Sequence, residues 1–244
     1  MNIIAVIPVR MGSSRFPGKP LKKINGVPMV EMIYNNIKKN KNLTKVVVAT
    51  CDRIIYDFIK SINGNVVLTS KKHKRATERT AEAVKISEKK YKKKFSLVVM
   101  VQGDEPMINN NMITEALKPF KEKSVNVVNL ISKIKSAGTF LDKNCIKVVQ
   151  DKNNDALYFS RSPIPNHQQK NNYYGYKQIC VIPFRKSFLY KYLILRETEL
   201  EKKESVDMMR ILENGYKVRL VEIKRETFPV DTLKDLRKVS KLLQ

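Results

Sequence analysis

Two kinds of hydrophobic pattern alternate along this chain. Residues 2–9, 45–49, 65–68 and 96–101 are short, nearly continuous apolar runs and predict buried strands. Residues 28 to about 39, 54–61 and 77 to about 91 carry apolar side chains at helical spacing, such as Ala81, Val84 and Ile86 in the last. Strands separated by helices join in parallel, and strands without polar alternation are covered on both faces. The first half therefore predicts an α/β fold with a mostly parallel sheet.

The second half is less regular. Strands are expected at 125–131, 146–149, 158–159, 179–184 and 216–223, with helices near 186–192, 204–214 and from Thr232 onward. Residues 166–175 are polar and rich in Asn and Gln and read as a mobile loop. No repeat or low-complexity linker marks a boundary. One domain over 1–244 is expected, with 126–184 as a small β-rich extension.

Candidate chemistry begins at the end of the first strand, with RMGSSRFPGKP at residues 10–20. It places three fixed cations (Arg10, Arg15, Lys19) and two glycines (Gly12, Gly18) where ligands bind in open α/β sheets. Glycines let backbone N–H groups turn inward as an anion nest, and Arg and Lys add full charges. A Walker loop has four residues between its glycines and a Ser or Thr after the Lys. Here five residues separate Gly12 from Gly18, and Pro20 follows Lys19. G-x-G-x-x-G is absent as well. The loop reads as a polyphosphate cradle or as a basic surface turn, and its position directly after an apolar strand favours the cradle.

Two carboxylates could complete it. Asp104 ends the apolar run 96–101 beside Gly103, and Asp231 precedes the last predicted helix. Each also has an ordinary reading: Asp104 as a strand terminator, Asp231 as a helix cap.

Composition narrows the partners. The 244 residues carry a formal charge of +25, with 42% hydrophobic and 29% charged residues. Such a charge suits a nucleic-acid binder or a Lys-rich solvated surface. No nucleic-acid motif or aromatic–basic stripe accompanies it, so the solvated surface is favoured and no nucleic-acid partner is expected. No apolar run approaches the roughly 18–20 residues of a membrane span, and with no cationic n-region before a short apolar stretch, a signal peptide is not expected. Cys51, Cys145 and Cys180 are widely spaced, which suggests neither disulfides nor a zinc site and points to the cytoplasm.

The loop with its neighbours, VRMGSSRFPGKPL at 9–21, resembles the signature of the 3-deoxy-manno-octulosonate (KDO) cytidylyltransferases. Further matches follow in order: NGVPM at 25–29, VAT at 48–50, TER at 77–79, VQGDEP at 101–106, ALYFSR at 156–161, RILENG at 210–215 and VDT at 230–232. The resemblance spans nearly the whole chain. It implies a Rossmann-like, three-layer αβα nucleotide-diphospho-sugar transferase fold. It also implies transfer of CMP from CTP to an acidic sugar for lipopolysaccharide or other surface glycans, with Mg²⁺ as cofactor and a homodimer as assembly.

By the same resemblance Asp104 and Asp231 hold Mg²⁺ against the nucleotide phosphates, and Arg10 and Lys19 join them as catalytic residues. Arg10, Met11, Gly12, Ser13, Arg15, Lys19, Arg79, Gln102 and Gly103 bind nucleotide, whereas Arg161, Gln178 and Asp207 lie against the sugar acid. Chemistry of this kind rests on positioning and charge, so no Ser, Cys or His nucleophile is expected. Three departures bear on it. Arg75-Ala76 stands where the family has Ser-Gly, and because Ala tolerates positive φ poorly the loop is expected to run differently. Gln178 and Ile182 replace a His and a Tyr, and Met208 a Gln, which implies a less polar acceptor pocket. A nucleotidyltransferase activating another sugar acid or a sugar or polyol phosphate, and a basic RNA-binding protein on a degenerate scaffold, are the alternatives.

Overall fold

All seven residues of strand β1 (Ile3–Val9) are buried, so both faces of the sheet around it are covered. The structure is a computed structural model that describes residues 1–12, 16–166 and 174–244. The chain divides into two units, Met1–Thr114 with Thr227–Gln244, and Glu115–Glu226. The second unit begins before the expected 126–184 extension and runs beyond it.

In the first unit β1 leads through a 3₁₀ turn at Lys19–Leu21 to a hairpin of β2 (Lys23–Ile24) and β3 (Val27–Pro28). Asn25 and Gly26 turn the hairpin with φ of 49° and 86°. Then follow α1 (Met29–Lys38), β4 (Lys45–Thr50), α2 (Arg53–Ser61), β5 (Val66–Leu68), α3 (Ala76–Tyr91), β6 (Leu97–Val101) and the start of α4 (Asn110–Leu117). α1 buries Met29, Val30, Ile33, Tyr34 and Ile37, one stripe at helical spacing.

β6, β1, β4 and β5 run parallel in that order, with Ile4 opposite Lys45, Ile3 opposite Leu97 and Val48 opposite Val66. From β1 the chain winds outward through β4 and β5, then returns to place β6 on the other side of β1. The order of winding thus reverses between β1 and β6, and a crevice opens outside their carboxyl ends at such a reversal. Gly103 lets the two strand ends approach closely there: a Cβ on it would stand 2.2 Å from Val9 Cγ1 and 3.3 Å from the Pro8 carbonyl oxygen.

The second unit contains β7 (Val128–Lys133), α5 (Ala137–Leu141), β8 (Lys147–Gln150), β9 (Ala156–Ser160), β10 (Tyr176–Ile179), β11 (Val181–Arg185), α6 (Lys186–Ile194), α7 (Glu199–Glu204), α8 (Asp207–Glu213) and β12 (Arg219–Glu222). Its sheet has the order β12-β7-β10-β8-β9, antiparallel except where β12 joins β7. The apolar run expected as one strand over 179–184 breaks at Cys180 into β10, which pairs with β7 and β8, and β11, which leaves that sheet. The helix expected over 204–214 is α8, which starts only at Asp207 because Ser205 turns left-handed at φ 53° after α7, a helix the pattern did not predict. The expected 166–175 loop falls largely outside the described residues. The last helix, α9 (Leu233–Leu242), belongs to the first unit, where Asn25 Nδ2 donates to the Ser240 carbonyl at 3.0 Å.

Among the described residues no helix is long and apolar enough to cross a membrane.

A buried ion pair ties the second unit's helices together. Arg210 on α8 grips Glu201 on α7 with two bonds, Nε to Oε2 at 2.6 Å and Nη2 to Oε1 at 2.7 Å, and stacks over the Tyr192 ring at 4.5 Å. Burial disfavours the Arg210 charge, but the bonds to Glu201 outweigh it and raise the guanidinium pKa. Glu201 is fully buried, so losing its cation would strand a charge in low dielectric. Arg210→Met is expected to cost about 3 kcal/mol in urea unfolding, and adding Glu201→Gln to recover much of it. Equal stability of Arg210→Met and the parent would refute this role for the pair.

Candidate active site

The loop after β1 is held at both ends before it reaches the crevice. Met11 N donates to Asp52 Oδ2 at 2.7 Å, which ties the loop to the carboxyl end of β4. Gly18 takes φ 71°, a left-handed conformation suited to glycine, and its N–H returns to the Met11 carbonyl at 3.1 Å. The turn that follows sends Lys19 inward, while Arg10 remains exposed. Ser13 and Arg15 lie outside the described residues.

Lys19 meets both aspartates. Its Nζ stands 3.0 Å from Asp104 Oδ2 and 3.0 Å from Asp231 Oδ1, with only 13% of its side chain exposed. Residues 19, 104 and 231 come together because β6 lies beside β1 and because Val230 N donates to the Asp104 carbonyl at 2.9 Å. Asp231 does not cap α9. Thr232 does, accepting from Asp235 N at 3.2 Å, while Asp235 Oδ2 accepts in return from Thr232 N and Asp231 N. The Asp231 carboxylate meets Lys19 instead.

Charge decides the state of this cluster. Burial penalises the Lys19 ammonium, but attraction to Asp104 and Asp231 and hydrogen bonds to both outweigh that penalty and raise its pKa above 10.5. Two carboxylates against one ammonium leave a net negative charge. Asp104 Oδ1 is buried and has no hydrogen-bond partner among the described residues. An orphaned anionic oxygen beside a second carboxylate suits a hard cation such as Mg²⁺. No larger cluster of His, Cys, Asp and Glu suited to a metal occurs among the described residues.

The opposite wall is the loop before α3. Arg79 is buried, and its Nη1 donates to Thr69 Oγ1 at 2.5 Å and to the Ser70 carbonyl at 3.4 Å. Glu82 Oε2 accepts from Ser70 N at 2.8 Å and meets His73 Nε2 at 2.5 Å. Glu78 accepts from Lys74 N at 3.0 Å and Arg75 N at 3.3 Å. Three residues of α3, at positions 78, 79 and 82, thus shape the loop from its C-terminal side. Arg75 takes extended angles and Ala76 starts the helix, so no positive φ is required at either. Arg75-Ala76 therefore sits in ordinary backbone geometry.

Between the walls lies a cleft of about 300 Å³. Arg10, Gly12, Lys19, Arg79, Gln102, Gly103 and Asp104, all expected from the sequence, line it. His73, Lys74 and Arg75 line it too. Asp52, which anchors the loop, escaped sequence reasoning, for nothing around VATCD at 48–52 distinguishes it from a helix cap.

Arg161, Gln178 and Asp207 belong to the second unit. Arg161 donates from Nε to the Glu204 carbonyl at 2.7 Å, from Nη1 to the Lys143 carbonyl at 3.1 Å and from Nη2 to the Ser205 carbonyl at 3.4 Å. Gln178 donates from Nε2 to Asn129 Oδ1 at 2.5 Å, and Asp207 opens α8. Ile182 and Met208 are buried.

A parallel α/β sheet with a cationic loop and two carboxylates at its switch point is the arrangement of a nucleotide-diphospho-sugar transferase fold. The cytidylyltransferase family model matches residues 4–223. A 3-deoxy-manno-octulosonate cytidylyltransferase of Geobacter metallireducens is 40% identical over an alignment of 252 positions, covering 98% of this chain and 96% of its own length. That of Geobacter sulfurreducens is 39% identical and covers 100% of each chain. A solved structure of CMP:2-keto-3-deoxy-manno-octonic acid synthetase complexed with CTP matches with a TM-score of 0.88 at 32% identity, over 100% of this chain and 98% of that one. The chain belongs to the cytidylyltransferase family.

Lys19→Met removes the cation between two partly buried carboxylates. In metal-free buffer at neutral pH it is expected to cost about 2 kcal/mol in chemical unfolding. Because the folded-state pKa of Lys19 is raised, its contribution is complete below the unfolded value of 10.5 and fades as pH rises through the folded one. The parent-to-variant difference should therefore stay flat near neutrality and shrink only in strong alkali. A difference that vanished already at pH 8 would refute it.

Proposed function

We propose that this chain transfers CMP from CTP to 3-deoxy-manno-octulosonate or a closely related ulosonic acid, releasing pyrophosphate, for lipopolysaccharide or another surface glycan. What carries the reading is the meeting of Lys19, Asp104 and Asp231 in a cationic switch-point cleft, in a chain whose relatives are named for this activity.

A hydroxyl oxygen of the sugar acid attacks the α-phosphorus of CTP, its proton passing to solvent water. The bond from that phosphorus to the α,β-bridging oxygen breaks in line, and pyrophosphate leaves with the oxygen. Arg10 and Lys19 hold the triphosphate and meet the charge that develops on the leaving group, aided by Met11, Gly12, Ser13 and Arg15 of the same loop. Gln102 and Gly103 offer backbone to the nucleotide, and Arg79 fixes the wall that faces it. Asp104 and Asp231 would hold Mg²⁺, which when bound neutralises charge on the phosphate oxygens. The orphaned Asp104 Oδ1 supports that assignment.

Arg161 donates to three carbonyls and keeps two further guanidinium N–H bonds, which we assign to the sugar carboxylate, with Gln178 and Asp207 as polar partners. The family model spans both units, which supports a single nucleotidyltransferase domain over 1–244. We assign a homodimer in the cytoplasm on resemblance to the family.

The test follows pyrophosphate release from each nucleoside triphosphate with Mg²⁺ and a panel of sugar acids, sugar phosphates and polyol phosphates. Turnover with CTP and 3-deoxy-manno-octulosonate is expected. Turnover confined to sugar or polyol phosphates would overturn the acceptor. Asp104→Asn should lower kcat at least about 100-fold with an unchanged far-UV circular dichroism spectrum. Near-parental rates in that variant would take Asp104 out of the metal site.

A further inference from the structure

The guanidinium assigned to the sugar carboxylate is held by an acid that has no part in the proposed reaction. Glu204 is the last residue of α7, a place where a helix favours a cation and a carboxylate opposes the dipole. The half-buried Glu204 side chain is bonded to the end of β9 instead. Its Oε1 accepts from Ser160 Oγ at 2.8 Å and from Tyr158 OH at 3.3 Å, and its Oε2 from Arg161 N at 2.8 Å. Ser160 Oγ accepts in turn from Ser162 N at 3.0 Å. One side chain thus ties together residues 158 to 162, with Arg161 among them.

The rest of Arg161 is fixed as closely. Its Nε donates to the carbonyl of Glu204 itself at 2.7 Å, so one residue holds both its main chain and its guanidinium. Its carbonyl accepts from Lys147 Nζ at 2.5 Å, and the buried Lys147 also donates to the Asp142 and Cys145 carbonyls at 2.9 Å each. Arg161 Nη1 reaches the Lys143 carbonyl of that same turn at 3.1 Å. A cation tied down in this way keeps one direction for its remaining N–H groups. A loose arginine would lose rotamer freedom each time it gripped an anion, and binding would weaken by that loss. A carboxylate poorly placed for its own helix, yet committed to the surroundings of one arginine, signals a gain elsewhere.

We infer that Glu204 is a positioning residue for acceptor binding: it holds Arg161 so that the two remaining guanidinium N–H bonds are preset for a carboxylate. The inference rests on the reading of Arg161 as the grip on the sugar acid. Arg161 touches the acceptor, and Glu204 acts only through Arg161.

The test follows pyrophosphate release with CTP and Mg²⁺ while 3-deoxy-manno-octulosonate is varied. It compares the parent, Glu204→Ala, Glu204→Gln, Arg161→Ala and the variant carrying both alanines. Glu204→Ala should raise the KM for the sugar acid about tenfold and leave the KM for CTP within about twofold of the parent. Glu204→Gln should stay within about threefold of the parent, because its oxygen can accept from Arg161 N and its amide can donate to Ser160 Oγ. In the Arg161→Ala background, Glu204→Ala should lower kcat/KM for the sugar acid by less than about twofold, since the group it positions is gone. A purely structural loss would lower the active fraction, and so kcat, with both KM values unmoved; that result would overturn the inference. So would a parental sugar-acid KM in Glu204→Ala, an equal rise in Glu204→Gln, or full additivity with Arg161→Ala. A parent that turns over no sugar acid, or an Arg161→Ala with the parent's sugar-acid KM, removes the reading of Arg161 and this inference with it. A raised KM in Arg161→Ala beside a parental one in Glu204→Ala removes the inference alone.

Discussion

One ammonium between two carboxylates organises the first unit's crevice. Lys19 brings its charge from the loop after β1, Asp104 from the end of β6, and Asp231 from the segment before α9. Like charges brought this close repel, so the aspartates stay together only while a cation lies between them. The backbone supplies the rest of the convergence. Gly18 turns the loop, Gly103 admits β6 to the flank of Val9, and the Val230–Asp104 hydrogen bond draws the C-terminal segment to the strand end. Remove any of these and the charges separate.

The same balance explains why the crevice suits a nucleotide. Its lining carries Arg10, Lys19, Lys74, Arg75 and Arg79 against the single carboxylate of Asp104. With Lys19 held by the two aspartates, the remaining cations favour an anion in the cleft, and a polyphosphate is the anion of matching charge. The +25 charge of the whole chain acts over longer distances and is screened by salt. Selectivity must come from the lining, where pairs are close enough to feel one another through little water.

Local pattern carried a large part of the fold. The strands at the centre of the first unit and the helices between them were legible because periodicity and turn residues act over a few positions. Asn25-Gly26 turned the chain as its φ preferences require. What misled was also local. An unbroken apolar stretch gives no sign of Cys180, where the chain passes from β10 to β11, and polar residues around Ser205 conceal the left-handed turn between α7 and α8. The ordinary alternative for Asp231, a helix cap, does not hold, because Thr232 stands one residue nearer the first turn and takes that role.

For the site, residue types and spacing named the loop, the paired aspartates and the wall before α3. Chemical character belongs to the side chain itself, so Arg, Lys, Gly and Asp announce a phosphate and cation site wherever they cluster in the chain. Partnership does not. That Lys19 lies against both aspartates, that Arg79 is spent on Thr69 and Ser70, and that Arg161 holds three backbone carbonyls depend on contacts between residues far apart in order. Strand order and non-local hydrogen bonds choose those neighbours, and no window of a dozen residues contains them.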